Sequence, residues 1–350
     1  MILHIIIIMM NSNERLLILN DSQIDEFHKS GVLVIPSIIT DEEIDNCRNG
    51  FHDYLLKNGC NIRNLEDTSK SLSLLSSTNG SGGVLDVFYE DWKLCINEHP
   101  NVVSVLSDLW ENTYAKCEDG IYHHPYGPFD SKKGYMYIDR VCFRLPDKIA
   151  IPEGTNKRKA LQRSLTPHLD CCPHKLYNSS TKEFPKWRPI QAFVSLTDTL
   201  EPNHGGFEAC TGLHAEFDDW IQRRSPSIGK DNQILEPPCV GEFTPIRAKE
   251  DKDIIERFKH IPCKKGDMIC WDYRIPHANS RHNLSSISRE AVYIGLLPHI
   301  DMNRRYAEEQ LKRFNQGLLP QDQWHENQKV QSCAYQFSTL GSKLMTITNW

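Results

Sequence analysis

Hydrophobic and polar positions follow two rhythms along this chain, and the change falls near residue 135. Before it, helical spacing dominates. Residues 21–30 read as a short helix with Asp21 as a cap, and 31–36 as a strand. Thr40-Asp41-Glu42-Glu43 is a capping box, which predicts a helix to about Leu56 that ends before Gly59. Residues 60–83, rich in Ser, Asn and Gly, read as a loop, and a further helix is expected from Pro100 or Asn101 through Trp110.

After residue 135, strands are expected over 135–145, across His168, and over 188–198, 267–271 and 289–297. In the 188–198 strand, Ile190, Ala192, Val194 and Leu196 form an apolar face. Gln191, Phe193, Ser195 and Thr197 form a more polar one, which suits either a pocket lining or a solvent face. Residues 215–259 are charged and broken by prolines, as in an insertion with some helix; 302–315 read as a polar helix and the tail after Leu319 as irregular. No internal repeat is visible. Many strands with glycine turns between flanking helices predict a mainly β fold, a double-stranded β-helix of the jelly-roll, cupin-like kind. The expected division is an N-terminal extension (1–20), one domain (21–300) and a C-terminal helix and tail (301–350). The domain comprises a helical part at 21–112, a β-helix core at about 135–298 and the insertion at about 215–259.

Composition narrows the class. At 350 residues the chain can build its own core without staples, and the net charge of −6 offers no basic field for nucleic acid. A basic stretch at 156–163 is the one local exception. The 12 cysteines are scattered and include no Cys-x-x-Cys, which reads as reduced thiols and a cytoplasmic setting. The apolar run 1–10 is too short to span a membrane and lacks the flanks of a signal peptide. Two readings of it stand: translation from Met9 or Met10, or an added edge strand.

The candidate chemistry begins at Thr166-Pro167-His168-Leu169-Asp170. On a strand, His168 and Asp170 point to one face while Leu169 turns into packing. With a distant His277, which follows the apolar run 268–273, they form the ligand set of a two-His-one-carboxylate facial triad. Such a set holds non-haem Fe(II) and leaves coordination positions open. Arg289 lies 12 residues past His277 and shares a strand face with Ala291, Tyr293 and Gly295. A planar guanidinium beside small residues suits a carboxylate, as the tail of 2-oxoglutarate requires. Arg281 is a rival in a loop. Arg140 and Arg144 share one strand parity and, lining the pocket, favour an anionic substrate. His123 and His124 are expected to be exposed, and His214 to support the core.

A longer series of segments completes the pattern: 27–36, 39–44, 99–103, His168-Leu169-Asp170, Gly205-Gly206-Phe207, Gly212-Leu213-His214, Lys265-Gly266-Asp267, His277-x-Asn279 and Arg289. In this order they resemble the phytanoyl-CoA hydroxylase-like branch of the Fe(II)/2-oxoglutarate dioxygenases, over about residues 22–298. The resemblance implies a double-stranded β-helix, iron held by His168, Asp170 and His277, and the 2-oxoglutarate tail on Arg289. Asn279 is implied to contact the cosubstrate or the substrate. It also implies O2 as oxidant, succinate and carbon dioxide as coproducts, and hydroxylation of a small molecule. Asp170 occupies the position that a halogenating relative would give to a small residue. Ala291 stands where some dioxygenases place a Ser or Thr, and the insertion and Cys171-Cys172-Pro173-His174 are departures. Two further classes stay open: a metal-binding cupin-like oxygenase or isomerase that does not use 2-oxoglutarate, and a non-catalytic binding protein on the same scaffold. No nucleic-acid or membrane partner is expected, and the oligomeric state is left open.

Overall fold

The computed structural model describes residues 16–61, 69–78, 80–118, 120–150, 162–173, 176, 185–224, 227–228, 234–235, 243–323, 329–330 and 334–350. The helical first part comes from local signals. Helix α1 (Asp21–Ser30) is capped by Asn20, one residue earlier than expected, in a reciprocal box with Gln23, and it ends on left-handed Gly31. Strand β1 (Val32–Ile35) follows, then α2 (Asp41–Lys57). The Thr40 side chain accepts from the Glu43 N–H, and Glu43 reaches back to the Thr40 N–H. Within the stretch read as loop, α3 (Ser69–Leu74) forms a short helix; its six residues carry too little periodicity to be seen against the Ser-rich background. Strand β2 (Val84–Leu85), α4 (Asp91–Asn97) and α5 (Pro100–Glu111) complete this part.

The capping box on α2 carries a pH signature. The His99 hydrogen bond, against some burial, pulls the Glu43 carboxyl from its ordinary 4.5 to about 2. A depressed carboxyl contributes stability that is fully present above its unfolded pKa and is lost as pH falls through the folded one. Glu43→Ala is therefore expected to lower stability by about 1 kcal/mol at neutral pH, the usual worth of a cap. In urea titrations the gap to wild type should close as pH drops from 4.5 to about 2.

The second part is strand-rich. It runs β3 (Gly134–Met136), β4 (Val141–Arg144), α6 (Asp147–Ala150), β5 (His168–Leu169), β6 (Ile190–Ser195), β7 (Phe207–Ala209), α7 (Phe217–Arg223), β8 (Ser227–Ile228), β9 (Ile234–Leu235), β10 (Thr244–Pro245), α8 (Lys252–Glu256), β11 (Lys259–Ile261), β12 (Met268–Asp272), β13 (His277–Asn279), β14 (Arg289–Ile294), β15 (Leu296–Pro298), α9 (Asp301–Asn315) and α10 (Thr339–Leu344). Two antiparallel sheets dominate. One has the order β1-β12-β6-β14-β4-β2, the other β10-β5-β13-β7-β11. The expected 289–297 strand divides at Gly295, where a Cβ would lie 2.5 Å from the Tyr137 ring, so only glycine lets the chain pass and re-pair as β15 with β3.

Register sorts the side chains of the six-stranded sheet. Arg289 lies opposite Arg144, Ala291 opposite Cys142 and Ser195, and Tyr293 opposite Phe193. One face therefore carries Arg144, Arg289, Ala291, Tyr293, Ser195 and Phe193. It meets the five-stranded sheet: Phe193 packs on Phe207 (5.6 Å) and Trp271 on Phe207 (4.8 Å). The more polar face of β6 is thus an interior face. On the opposite face of β14, Glu290 anchors α2 through Arg48 (2.9 Å) and His52 (3.0 Å). Helix α9 docks by Gln310, which donates to the Met136 carbonyl and accepts from the Ile138 N–H. One hydrophobic cluster runs from Leu19 to Met345.

Two smaller expectations are corrected. His124 is buried, bonded to the Tyr114 carbonyl (2.9 Å) with its ring 4.3 Å from Trp187, while His123 is exposed; the Pro-Gly loop folds inward because this aromatic cluster covers the ring. Cys171 stands outside any disulfide but its neighbour Cys172 is disulfide-bonded, against the expectation of a wholly reduced chain; local spacing cannot reveal a pairing made through the tertiary fold. Among the described residues no helix is long and apolar enough to cross a membrane. His174, the 1–10 run and most of the basic 156–163 stretch lie outside the described residues.

Candidate metal centre

The sheets bring together three side chains that are far apart in sequence. On β5 and β13, His168 and His277 are directly paired, and their rings lie 4.5 Å apart. Asp170 follows β5 and lies between them: Oδ1 is 3.4 Å from His168 Nε2 and Oδ2 is 3.5 Å from His277 Nε2. One ligand atom from each of the three lies within 4.8 Å of the others. No other cluster of three or more His, Cys, Asp or Glu with metal-holding geometry occurs among the described residues.

Each imidazole is held in one orientation by its own backbone. His168 Nδ1 is 2.8 Å from the Thr166 carbonyl, and His277 Nδ1 is 3.0 Å from the Ile275 carbonyl. A carbonyl can only accept, so Nδ1 carries the proton and Nε2 presents its lone pair to the shared point. Burial, and then the neighbouring His168, pull the His277 pKa below its ordinary value against the field of Asp170, which favours the neutral form a metal needs. Burial works against the charge on Asp170, but His168 and His277 hold its carboxyl well below the usual carboxylate range. Phe243 stacks on His168 at 4.8 Å and Trp271 lies 5.0 Å from His277, so apolar rings wall the site.

The turn that delivers His277 is fixed by a buried ion pair. Asp272, at the end of β12, accepts from Arg274 Nε (2.8 Å) and Nη2 (2.8 Å) and from the Tyr114 hydroxyl.

Gln191 is the neighbour that sequence reading put on the polar face without assigning it a task. Its Nε2 donates to Asp170 Oδ2 (3.2 Å) across the gap between the sheets. Outer partners of this kind orient a metal ligand. Gln191→Leu is expected to weaken divalent-metal affinity by about tenfold while leaving thermal stability of the metal-free protein near wild type. Calorimetric metal titration checks it, and unchanged affinity would remove Gln191 from the site.

Asn279 and Arg289 form the second half of the site. Asn279 is two residues past His277 on β13, hence on the same face and about 7 Å along the strand. Its Oδ1 accepts from Arg289 Nη1 (2.6 Å) and its Nδ2 donates to the Gly82 carbonyl (2.8 Å). Both ends of the amide are thus engaged by the protein, and Asn279 aims Arg289. Arg289 is buried over the Phe193 ring (4.8 Å), yet its Nε and Nη2 have no hydrogen-bond partner. Arg144 lies opposite it, also buried, with its terminal nitrogens on loop carbonyls and Asp147 and its Nε unpartnered. Arg281 is exposed and contributes only its carbonyl, to Arg144. His214 supports the core through the His28 carbonyl (3.1 Å).

Residues 247–339 match the Gig2-like family model. Among solved structures, the GlcNAc-inducible gene 2 protein GIG2 of Candida albicans aligns at TM-score 0.69 and 15% identity, over 95% of this chain and 77% of that one. The hypothetical protein JW0805 of Escherichia coli aligns at TM-score 0.67 and 14% identity, over 94% and 82%. At such identities the likeness is one of fold. The comparison with curated proteins returned no match. The phytanoyl-CoA hydroxylase-like resemblance is corrected by these findings: the family model that matches is Gig2-like, and a Gig2 structure aligns along nearly the whole chain. The residues that suggested the other branch are the His168–Asp170–His277 cluster, Arg289 and the turns that position them. Such residues report a site and a scaffold, which separate families can share.

Proposed function

We propose that this chain is an Fe(II)- and 2-oxoglutarate-dependent oxygenase that hydroxylates a small molecule. Its scaffold on this reading is a double-stranded β-helix, with residues 21–300 as the catalytic domain. The observation that carries the reading is Arg289: buried, with two unpartnered nitrogens, and tied through Asn279 to the strand that bears His277. A guanidinium buried without an anion costs stability, so its unpaired N–H groups are explained by a carboxylate that arrives as ligand.

The donor set fits a resident Fe(II). Two neutral imidazoles with Nε2 turned inward and one ionised carboxylate make three protein ligands and leave positions for other oxygen donors. When bound, the metal and keto acid would supply oxidation of a substrate C–H by O2, with the keto acid leaving as succinate and carbon dioxide. The chain's own residues do the rest. His168, Asp170 and His277 hold the metal, and Gln191 keeps Asp170 turned toward it. Asn279 ties Arg289 to the strand that bears His277, two residues or about 7 Å from it, so that a short keto diacid held by the two histidines' metal would have its far end toward Arg289. Arg289 takes the far carboxylate, and the free Arg144 Nε beside it adds positive charge where Ala291 supplies no hydroxyl. Phe207, Trp271 and Phe243 exclude water from the imidazoles.

Calorimetry with a pair of diacids tests the reading. 2-Oxoglutarate should bind the Fe(II)-loaded protein under argon at least about tenfold more tightly than glutarate, which lacks the chelating keto oxygen. Equal binding of the two, or none, with iron in place would overturn it in favour of metal chemistry without 2-oxoglutarate.

A further inference from the structure

Two more arginines stand near Asp170, and the residues assigned so far do not use them. Arg140 precedes β4 and Arg188 precedes β6. A single carboxylate serves both: Asp139 Oδ2 accepts from Arg188 Nη1 (2.7 Å), and Asp139 Oδ1 lies 3.9 Å from Arg140 Nε. The second distance is too long for a hydrogen bond, and Arg140 Nε is buried with no partner. The Arg188 guanidinium carbon lies over the Tyr137 ring, 4.5 Å from its centre. Tyr137 is in turn held through its hydroxyl by Asp322 (3.0 Å). The Asp170 carboxylate is close enough for its charge to act on both guanidinium groups. The Arg140 and Arg188 side chains are 27% and 12% exposed and that of Asp170 36%, so a ligand from solvent can reach all three.

Charge counting gives the pair its meaning. Asp139 is the one carboxylate in contact with both guanidinium groups; the other carboxylates whose fields reach them are Asp86, on Arg140, and Asp170, on both. Asp170 contributes only while it is free. Once its charge is committed to a divalent cation, Arg188 is left with Asp139, which it shares with Arg140. A partly buried guanidinium left short of negative charge calls for an anion. The Arg188 guanidinium over Tyr137 and the unpartnered Arg140 Nε suit an oxyanion with more than one acceptor oxygen.

We propose that Arg140 and Arg188 form the recognition subsite for the substrate, and that the substrate carries a carboxylate or phosphate group that they hold beside the metal. This rests on the oxygenase reading above and narrows its substrate class. Arg289 and Arg144 take the cosubstrate on β14 and β4, and the Arg140–Arg188 pair takes the substrate near Asp170.

The test uses the full chain loaded with Fe(II) and saturating 2-oxoglutarate under argon. Acetate and methylphosphonate are the anion probes and acetamide is the neutral control, each followed by calorimetry. Wild type should bind at least one anion saturably and acetamide not at all, and the preferred anion tells carboxylate from phosphate. Arg140→Gln should weaken that binding by about tenfold or more, while Arg140→Lys stays within a few-fold of wild type. The 2-oxoglutarate requirement should be the same in all three proteins. Wild type that binds neither anion overturns the subsite, as does anion binding indifferent to Arg140→Gln in a variant with a wild-type melting curve. A raised 2-oxoglutarate requirement in Arg140→Gln would also overturn it, because the pair would then belong to the cosubstrate. Failure of 2-oxoglutarate to bind wild type at all would instead remove the oxygenase reading, a different and separable result.

Discussion

His168→Ala is expected to lower Fe(II) affinity by well over about a hundredfold, beyond the 10–100-fold typical of losing an outer partner. The reason is geometric. His168 and His277 are paired across β5 and β13, and Asp170 contacts both Nε2 atoms. Removing one imidazole leaves two ligands that cannot enclose a cation and leaves the Asp170 carboxylate with half of its compensating partners. The fold should persist, because β5 keeps its backbone pairing with β10 and β13. The variant should therefore melt near the metal-free wild type and fail to gain stability when Fe(II) is added, whereas wild type should gain. Thermal melts with and without metal read both effects. A variant still stabilised by Fe(II) as wild type is would mean that the cation binds elsewhere.

Arg289→Ala is expected to leave Fe(II) affinity near wild type and raise the 2-oxoglutarate concentration needed for half-saturation by about 10–150-fold, the worth of a charged hydrogen-bond pair. The separation of effects matters more than the size. Arg289 lies on β14 of the six-stranded sheet and the two histidines on the other sheet, and the hydrogen bond from Arg289 to Asn279 links it to the strand of His277. Loss of the guanidinium frees Asn279 Oδ1 but leaves its bond to the Gly82 carbonyl. Equal loss of metal and keto acid binding would instead assign Arg289 to holding the two sheets together.

Much of this site was legible in the sequence because its determinants are local. His-x-Asp on a strand, a histidine after an apolar run and an arginine 12 residues on obey period-two geometry, and the structure puts the first three within 4.8 Å. The capping box at Thr40 and the helices at 41–57 and 100–111 are equally local, and formed where expected. What lay hidden depends on contacts across the fold. Gln191 touches Asp170 from 21 residues away, and Asn279 aims Arg289 because β13 and β14 lie in different sheets. The Arg188–Asp139 pair and the burial of His124 under Trp187 are of the same kind. The family was misread for a related reason. The segments that suggested it are set by the demands of the site and its turns, and three of them (265–267, 277–279 and Arg289) lie inside the Gig2-like match at 247–339, so they do not tell one family from the other.

The most direct measurement is an anaerobic titration of the metal-free protein with Fe(II) and then 2-oxoglutarate, followed by visible absorption. The account predicts a weak charge-transfer band that needs both additions, is absent in His168→Ala, and requires far more 2-oxoglutarate in Arg289→Ala. Iron binding with no band at any 2-oxoglutarate concentration would contradict it.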